Sequence, residues 1–237
     1  MEEAFFDPST RHHERAMRKV MSNLAAQLNL IQDMTVLALP DPRQESMVSA
    51  LQRARRASTH DQIFFLYNDH GTLAPTSQGE IWVYDTDFPI TPTTYNPVFV
   101  SSLVDAAQAG TLYLWDCDNA GCVIDCAVEH GKRRDQDYRQ KSAHLPEGIP
   151  TQFSHTAYDV HFGACATDQV LPVVDNLPRD VFTACMTMPL AMALRYHSLV
   201  DTLQVGRSAR DDTPTEMNAL DAIPGHVNDR DSPTGST

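Results

Sequence analysis

The chain has 237 residues, a formal net charge of −13 and a pI near 5.0, long enough for one sizeable core. The acidic balance excludes a sequence-independent nucleic-acid binder, which needs clustered Lys and Arg, and the one basic cluster, Lys132-Arg133-Arg134, suits the carboxyl end of a helix. No apolar run reaches membrane-spanning length, Met1-Glu2-Glu3 opens acidic rather than signal-like, and five cysteines without a small-domain spacing fit a reducing, cytoplasmic setting.

Met17, Val20, Met21, Leu24, Leu28 and Ile31 recur at three- and four-residue steps and predict an amphipathic helix from about Thr10 to Gln32. Thr35–Leu39 reads as a strand ended by Pro40. Asp41-Pro42 then resembles a helix start, with Asp as cap and Pro in the first turn, and Met47, Leu51 and Ala54 mark that helix's buried side. Ile63-Phe64-Phe65-Leu66 is a buried strand that leads into Tyr67-Asn68-Asp69-His70-Gly71. Glu80–Tyr84 is a short strand of a hairpin or flap, and Pro89, Pro92 and Pro97 punctuate a loop.

From Val98 to Ala109 the pattern turns helical, with Gly110 where a helix stops. Thr111–Leu114 is the next buried strand and leads into Trp115-Asp116-Cys117-Asp118-Asn119-Ala120-Gly121. A helix bearing Cys122, Cys126 and His130 on one face follows, then a charged, mobile stretch from Gln136 to Pro150. Those three side chains suggest zinc, but three ligands fall short of a structural site, and a buried small hydrophobe is the better reading of each cysteine. Val160, Phe162 and Ala164 alternate as a further strand with Cys165 just beyond, and Asp180–His197 is helical with an interruption at Pro189. From residue 201 the composition is polar and unable to bury enough surface to offset its ordering entropy, so 201–237 is expected to be a disordered tail after a domain over 1–200.

Strands alternating with helices imply an α/β fold with a mostly parallel sheet and helices on both faces. Parallel neighbours bring their carboxyl ends to one edge, so His70 and Cys117 could share a crevice, the layout of a Cys-His hydrolase.

The order of segments resembles the caspase-like fold, a three-layer sandwich in which a His-Gly ends one core strand and a nucleophilic Cys ends the next. A closer similarity is to the Raptor amino-terminal domain family, the regulatory partner of the TOR kinase. It is carried by Tyr67-Asn68-Asp69-His70-Gly71, Gly79-Glu80-Ile81-Trp82-Val83, Asp116-Cys117-Asp118-Asn119-Ala120-Gly121, Ala164-Cys165-Ala166-Thr167, and the series Leu177-Pro178, Asp180, Phe182-Thr183, Cys185, Pro189 and Ala193-Leu194-Arg195. The resemblance spans about Asp7 to His197. It implies a scaffold role in TOR complex 1, with the TOR kinase and its substrates as partners and no cofactor. It also implies a first core strand ahead of the Thr10 helix, where only Met1–Phe6 stand, and helical-repeat and propeller regions without counterpart here, so an incomplete gene model or a fragment of limited stability is expected.

Active caspase-like peptidases with this local pattern place the thiol two residues after the Asp, whereas Cys117 directly follows Asp116. Side chains at a strand end alternate, so the offset turns the Cys117 sulfur inward under the next helix and directs Asp118 to the crevice. A carboxylate substitutes poorly for a thiolate in attack on a peptide bond. The expectation is a catalytically silent site comprising His70, Cys117 and Asp118, with Asp116 as the pocket acid. The alternative is a Cys-His peptidase using His70 and Cys117, with a bulge re-aiming the thiol.

Overall fold

In a computed structural model, the structure describes residues 10–27, 35–58, 61–69, 74–87, 90, 93–142, 154–171, 177–178 and 180–205. The elements in order are α1 (Thr10–Gln27), α2 (Gln44–Ala57), β1 (Ile63–Asn68), β2 (Glu80–Tyr84), β3 (Tyr95–Phe99), α3 (Val100–Ala107), β4 (Thr111–Asp116), α4 (Ala120–Ser142), α5 (His155–Tyr158), β5 (Val160–Gly163), α6 (Val181–Thr187) and α7 (Pro189–Val205). The chain divides into two compact units, one of residues 1–15 and 37–171, the other of residues 16–36 and 172–237.

The first unit is built on a parallel sheet of order β1-β4-β5. Its register pairs Tyr67 with Trp115 and Asn68 with Asp116, then Leu114 with Phe162 and Trp115 with Gly163. Alternation sends Phe65, Tyr67, Tyr113 and Trp115 to one face. That face joins one apolar cluster with Met47 and Leu51 of α2, Val100, Leu103 and Val104 of α3, Ala120, Val123 and Ala127 of α4, and Ile81, Val83 and Val98 of the antiparallel β2-β3 ribbon. Trp115, Tyr113, Ile81 and Leu103 have no solvent exposure, and each such burial contributes roughly 1.5–3 kcal/mol.

The amino ends of the strands are tied by a buried arginine. Arg55 donates from Nε to the Ala107 carbonyl at 2.6 Å, and from its other nitrogens to the carbonyls of Ser58, Asp61 and Gly110 and the Thr111 hydroxyl. One side chain thus closes the carboxyl ends of α2 and α3 over the start of β4, satisfying carbonyls that helix ends leave open. Beside it, Asp159 Oδ1 accepts the amides of Gly110 and Thr111 while its Oδ2 lies 2.8 Å from His155 Nδ1.

In the second unit, Arg18 donates to the Val36 carbonyl at 2.8 Å, Leu24, Ala184 and Met192 are buried, and Thr187 returns its hydroxyl to the Thr183 carbonyl one turn earlier. No helix among the described residues is long and apolar enough to cross a membrane.

Several expectations are corrected. Thr35–Leu39 forms no strand, and Leu37 is 50 % exposed. An extended segment needs a ladder partner, and the described sheet begins at β1, which pairs with β4 alone among the described strands. Asp41 does not cap α2. It sits at φ 40°, the N-cap is Arg43, and Asp87 supplies the acceptor for the Arg43 amide and the Ser46 hydroxyl. Pro97 lies in strand β3 opposite Trp82 rather than in a loop; a two-stranded ribbon leaves each strand a free edge, where a residue without N–H is tolerated. Lys132-Arg133-Arg134 is mid-helix, and the expected mobile stretch is helical through Ser142, so Arg139 and Lys141 are the last-turn cations. α7 runs to Val205, and the rest of the expected tail lies outside the described residues, as do Leu28–Gln32 of the expected first helix.

Candidate functional site

β1 and β4 end side by side because they are parallel neighbours in register. At that edge the Asp69 amide donates to the Asp116 carbonyl at 3.0 Å, Asn68 Nδ2 donates to Asp116 Oδ2 at 3.3 Å, and the Tyr67 hydroxyl donates to Asp69 Oδ2 at 2.7 Å. Asp116 is fully buried. His70 lies outside the described residues.

Cys117 continues the parity of Tyr113 and Trp115, so its side chain enters the helix-covered core, where it is 2 % exposed. Burial pushes its thiol up far above the ordinary range, and Cys165, Asp69, Asp116 and Asp118 add to the shift in that order. At neutral pH the sulfur is protonated and walled from solvent, the reverse of the electropositive, open setting that activates a cysteine.

Asp118 is half-buried and engaged locally: its Oδ1 accepts the Leu171 amide at 2.6 Å. Asn119 turns the chain into α4 in the left-handed region, φ 53°, which asparagine tolerates. Its side chain donates to the Pro75 carbonyl at 2.5 Å and accepts the Asp168 amide at 2.8 Å, while its own amide donates to the Gln169 carbonyl. Ala120 has no exposed surface. A Cβ on Gly121 would meet the Ala166 carbonyl carbon at 2.8 Å and the Thr167 amide, so the 164–167 turn can press on α4 only with glycine there. The Asp116–Gly121 motif is therefore a joint between three chain segments. Its organisers, Asn119 and Gly121, were not among the expected site residues, although a lone Asn before Ala-Gly at a strand-to-helix junction is a legible left-handed turn signal.

α4 also holds residues 76–79. Cys122 Sγ donates to the Thr76 carbonyl at 3.0 Å, Cys126 Sγ lies 3.8 Å from the Ser77 carbonyl, and Gly79, at φ 74°, leaves no room for a Cβ against Cys126. His130 turns instead to Asp105, 2.9 Å away. The three candidate metal ligands thus point to separate partners, and no His, Cys, Asp and Glu group that could hold a metal occurs among the described residues. Glu80 is 5 % exposed and accepts the Thr76 hydroxyl through one oxygen.

Chemically the described arrangement offers carboxylates and a buried neutral thiol, with the neighbouring turns held by backbone amides. It positions chain segments, and the cysteine of the Asp116–Gly121 motif, Cys117, is buried rather than presented to solvent.

Residues 1–127 match the family described as Raptor N-terminal CASPase like domain. The target of rapamycin complex 1 subunit mip1 of Schizosaccharomyces pombe is 29 % identical over 234 residues, 98 % of this chain and 17 % of that protein. The target of rapamycin complex 1 subunit KOG1 of Saccharomyces cerevisiae is 28 % identical over 195 residues, 81 % of this chain and 12 % of that protein. The crystal structure of Chaetomium thermophilum Raptor superposes with a TM-score of 0.66 at 26 % identity, covering 97 % of this chain and 18 % of that one. The chain spans less than a fifth of the length of each of these relatives. The caspase-like α/β class expected from the motifs is the fold found.

Proposed function

This chain belongs to the Raptor N-terminal caspase-like family, and from that premise we propose that it acts as a non-catalytic scaffold domain of a TOR complex 1 subunit, helping assemble the TOR kinase and recruit its substrates. Support for the partnership comes from relatives that carry the names of TOR complex 1 subunits. Support for the absence of catalysis comes from one observation, the Cys117 sulfur shut into the core with its proton held by burial. A peptidase using His70 and Cys117 would need that thiol ionised and open to a peptide carbonyl.

The place of action is the cytoplasm, in keeping with five cysteines of which none is in a disulfide. The partner surface consists of protein rather than nucleic acid, as the −13 charge favours. Affinity purification of the full chain from its native cell is expected to recover a TOR-type kinase. Recovery of the chain without any such kinase, from cells in which the kinase is abundant, contradicts the proposal.

A further inference from the structure

We propose that Cys117 and Cys165 form a reversible disulfide on exposure to a peroxide, a modification site that joins the ends of β4 and β5. The parallel ladder pairs Trp115 with Gly163, and the Ala164 amide extends it by donating to the Trp115 carbonyl at 2.9 Å. Cys117 and Cys165 each follow that pair by two residues, just past the ends of β4 and β5. Both pack into the same apolar cluster, Cys117 as a member and Cys165 against it, so their side chains share a face. The Cys165 sulfur already lies 3.4 Å from the Cys117 carbonyl oxygen. Neighbouring strands run about 4.8 Å apart, inside the Cα separation of roughly 4.4–6.8 Å that a disulfide spans.

The two thiols differ as a sensing and a resolving cysteine do. Cys165 is partly exposed and Cys117 is buried, so peroxide meets Cys165 first. The Cys165 sulfur attacks one peroxide oxygen, the O–O bond breaks, and Cys165 sulfenic acid and one water result. Cys117 then attacks the sulfenic sulfur and releases its proton, hydroxide leaves as a second water, and the S–S bond forms. Two thiols are oxidised by two electrons and one hydrogen peroxide is reduced to two waters. Because the resolving sulfur is held protonated, the second step is the slow one and accelerates with rising pH. The bond draws Cys165 away from the Gln169 carbonyl, 3.4 Å off, and so disturbs the turn whose amides hold Asp118 and Asn119.

The test uses the full chain carrying Cys185→Ser, which removes the exposed cysteine and leaves four of the five thiols. After limiting hydrogen peroxide, titratable thiols are expected to fall to two and to return with dithiothreitol. Cleavage before aspartate cuts at Asp118 and Asp125, separating Cys117, Cys122 and Cys126, and non-reducing mass mapping is expected to show a Cys117–Cys165 linked pair. With Cys117→Ala the reaction is expected to stop at a Cys165 sulfenic acid captured by dimedone. The wild-type linkage map stands even where that variant folds poorly. Linkage of Cys122 to any partner, Cys165 driven to sulfinic acid while Cys117 stays free, or four thiols retained under peroxide that oxidises Cys185 in the parent chain overturns the proposal.

Discussion

Asp118 Oδ1 accepts the Leu171 amide at 2.6 Å, so the carboxylate that follows Cys117 in the motif fastens a loop. The same loop is held a second time through Asn119, whose side chain accepts the Asp168 amide. The motif that in a peptidase would present a nucleophile here spends its polar groups on backbone.

Replacing Asp118 by Ala is accordingly expected to lower unfolding free energy by about 1–2 kcal/mol, the range for a hydrogen bond to a charged acceptor at a half-buried site. Asp118→Asn, which keeps an accepting oxygen, is expected to cost less. Urea titration of both variants checks this, and an Asp118→Ala chain as stable as wild type would show that the Leu171 contact carries no energy.

Gly121→Ala places a methyl group against the Ala166 and Thr167 backbone. Since backbone cannot rotate out of the way, a loss of roughly 2–3 kcal/mol is expected by thermal or urea unfolding. Unchanged stability would mean that the 164–167 turn does not press on α4.

Arg55 holds four carbonyls and a hydroxyl at 7 % exposure. Arg55→Met strands those acceptors in the interior and is expected to cost about 3 kcal/mol or more. Arg55→Lys keeps the charge but cannot reproduce the planar fork, and an intermediate loss is expected. If both variants unfold at the wild-type midpoint, the arginine is not the tie between α2, α3 and β4.

Asp135 lies inside α4 at 8 % exposure and accepts the amides of His155 and Thr156 and the hydroxyls of Ser154 and Thr156. Burial by itself would raise its carboxyl, but these donors outweigh it and bring the group down to about 2. A folded value below the unfolded one stabilises the fold at pH values above the unfolded value, and the gain disappears as pH falls through the folded one. Asp135→Asn is therefore expected to be less stable than wild type by about 2 kcal/mol at pH 7. The gap should narrow between about pH 4 and pH 2, as followed by circular dichroism; a gap constant down to pH 2 would remove the carboxylate from the account.

Much of this architecture was legible before any coordinate. The apolar runs at Ile63–Leu66 and Thr111–Leu114 are β1 and β4 because a buried parallel strand needs little else, and the inward turn of Cys117 follows from strand parity alone. The far half of α4 was hidden because its buried positions are Gly131 and Asp135, which show no apolar stripe; a partner helix, α5, supplies the reason for burying them. Thr35–Leu39 has the residues of a strand but pairs with no strand among the described residues, and β3 runs through a proline that sequence alone reads as punctuation. The acceptor that holds the start of α2, Asp87, is over forty positions away, which no local pattern reveals.

The central claim is that Cys117 is a packing residue, and thiol alkylation measures this directly. In the native full chain at pH 7.5 iodoacetamide is expected to label exposed Cys185 and leave Cys117 unmodified until denaturant is added. Stoichiometric labelling of Cys117 in the folded chain, well below pH 8 and faster than Cys185, would contradict the account.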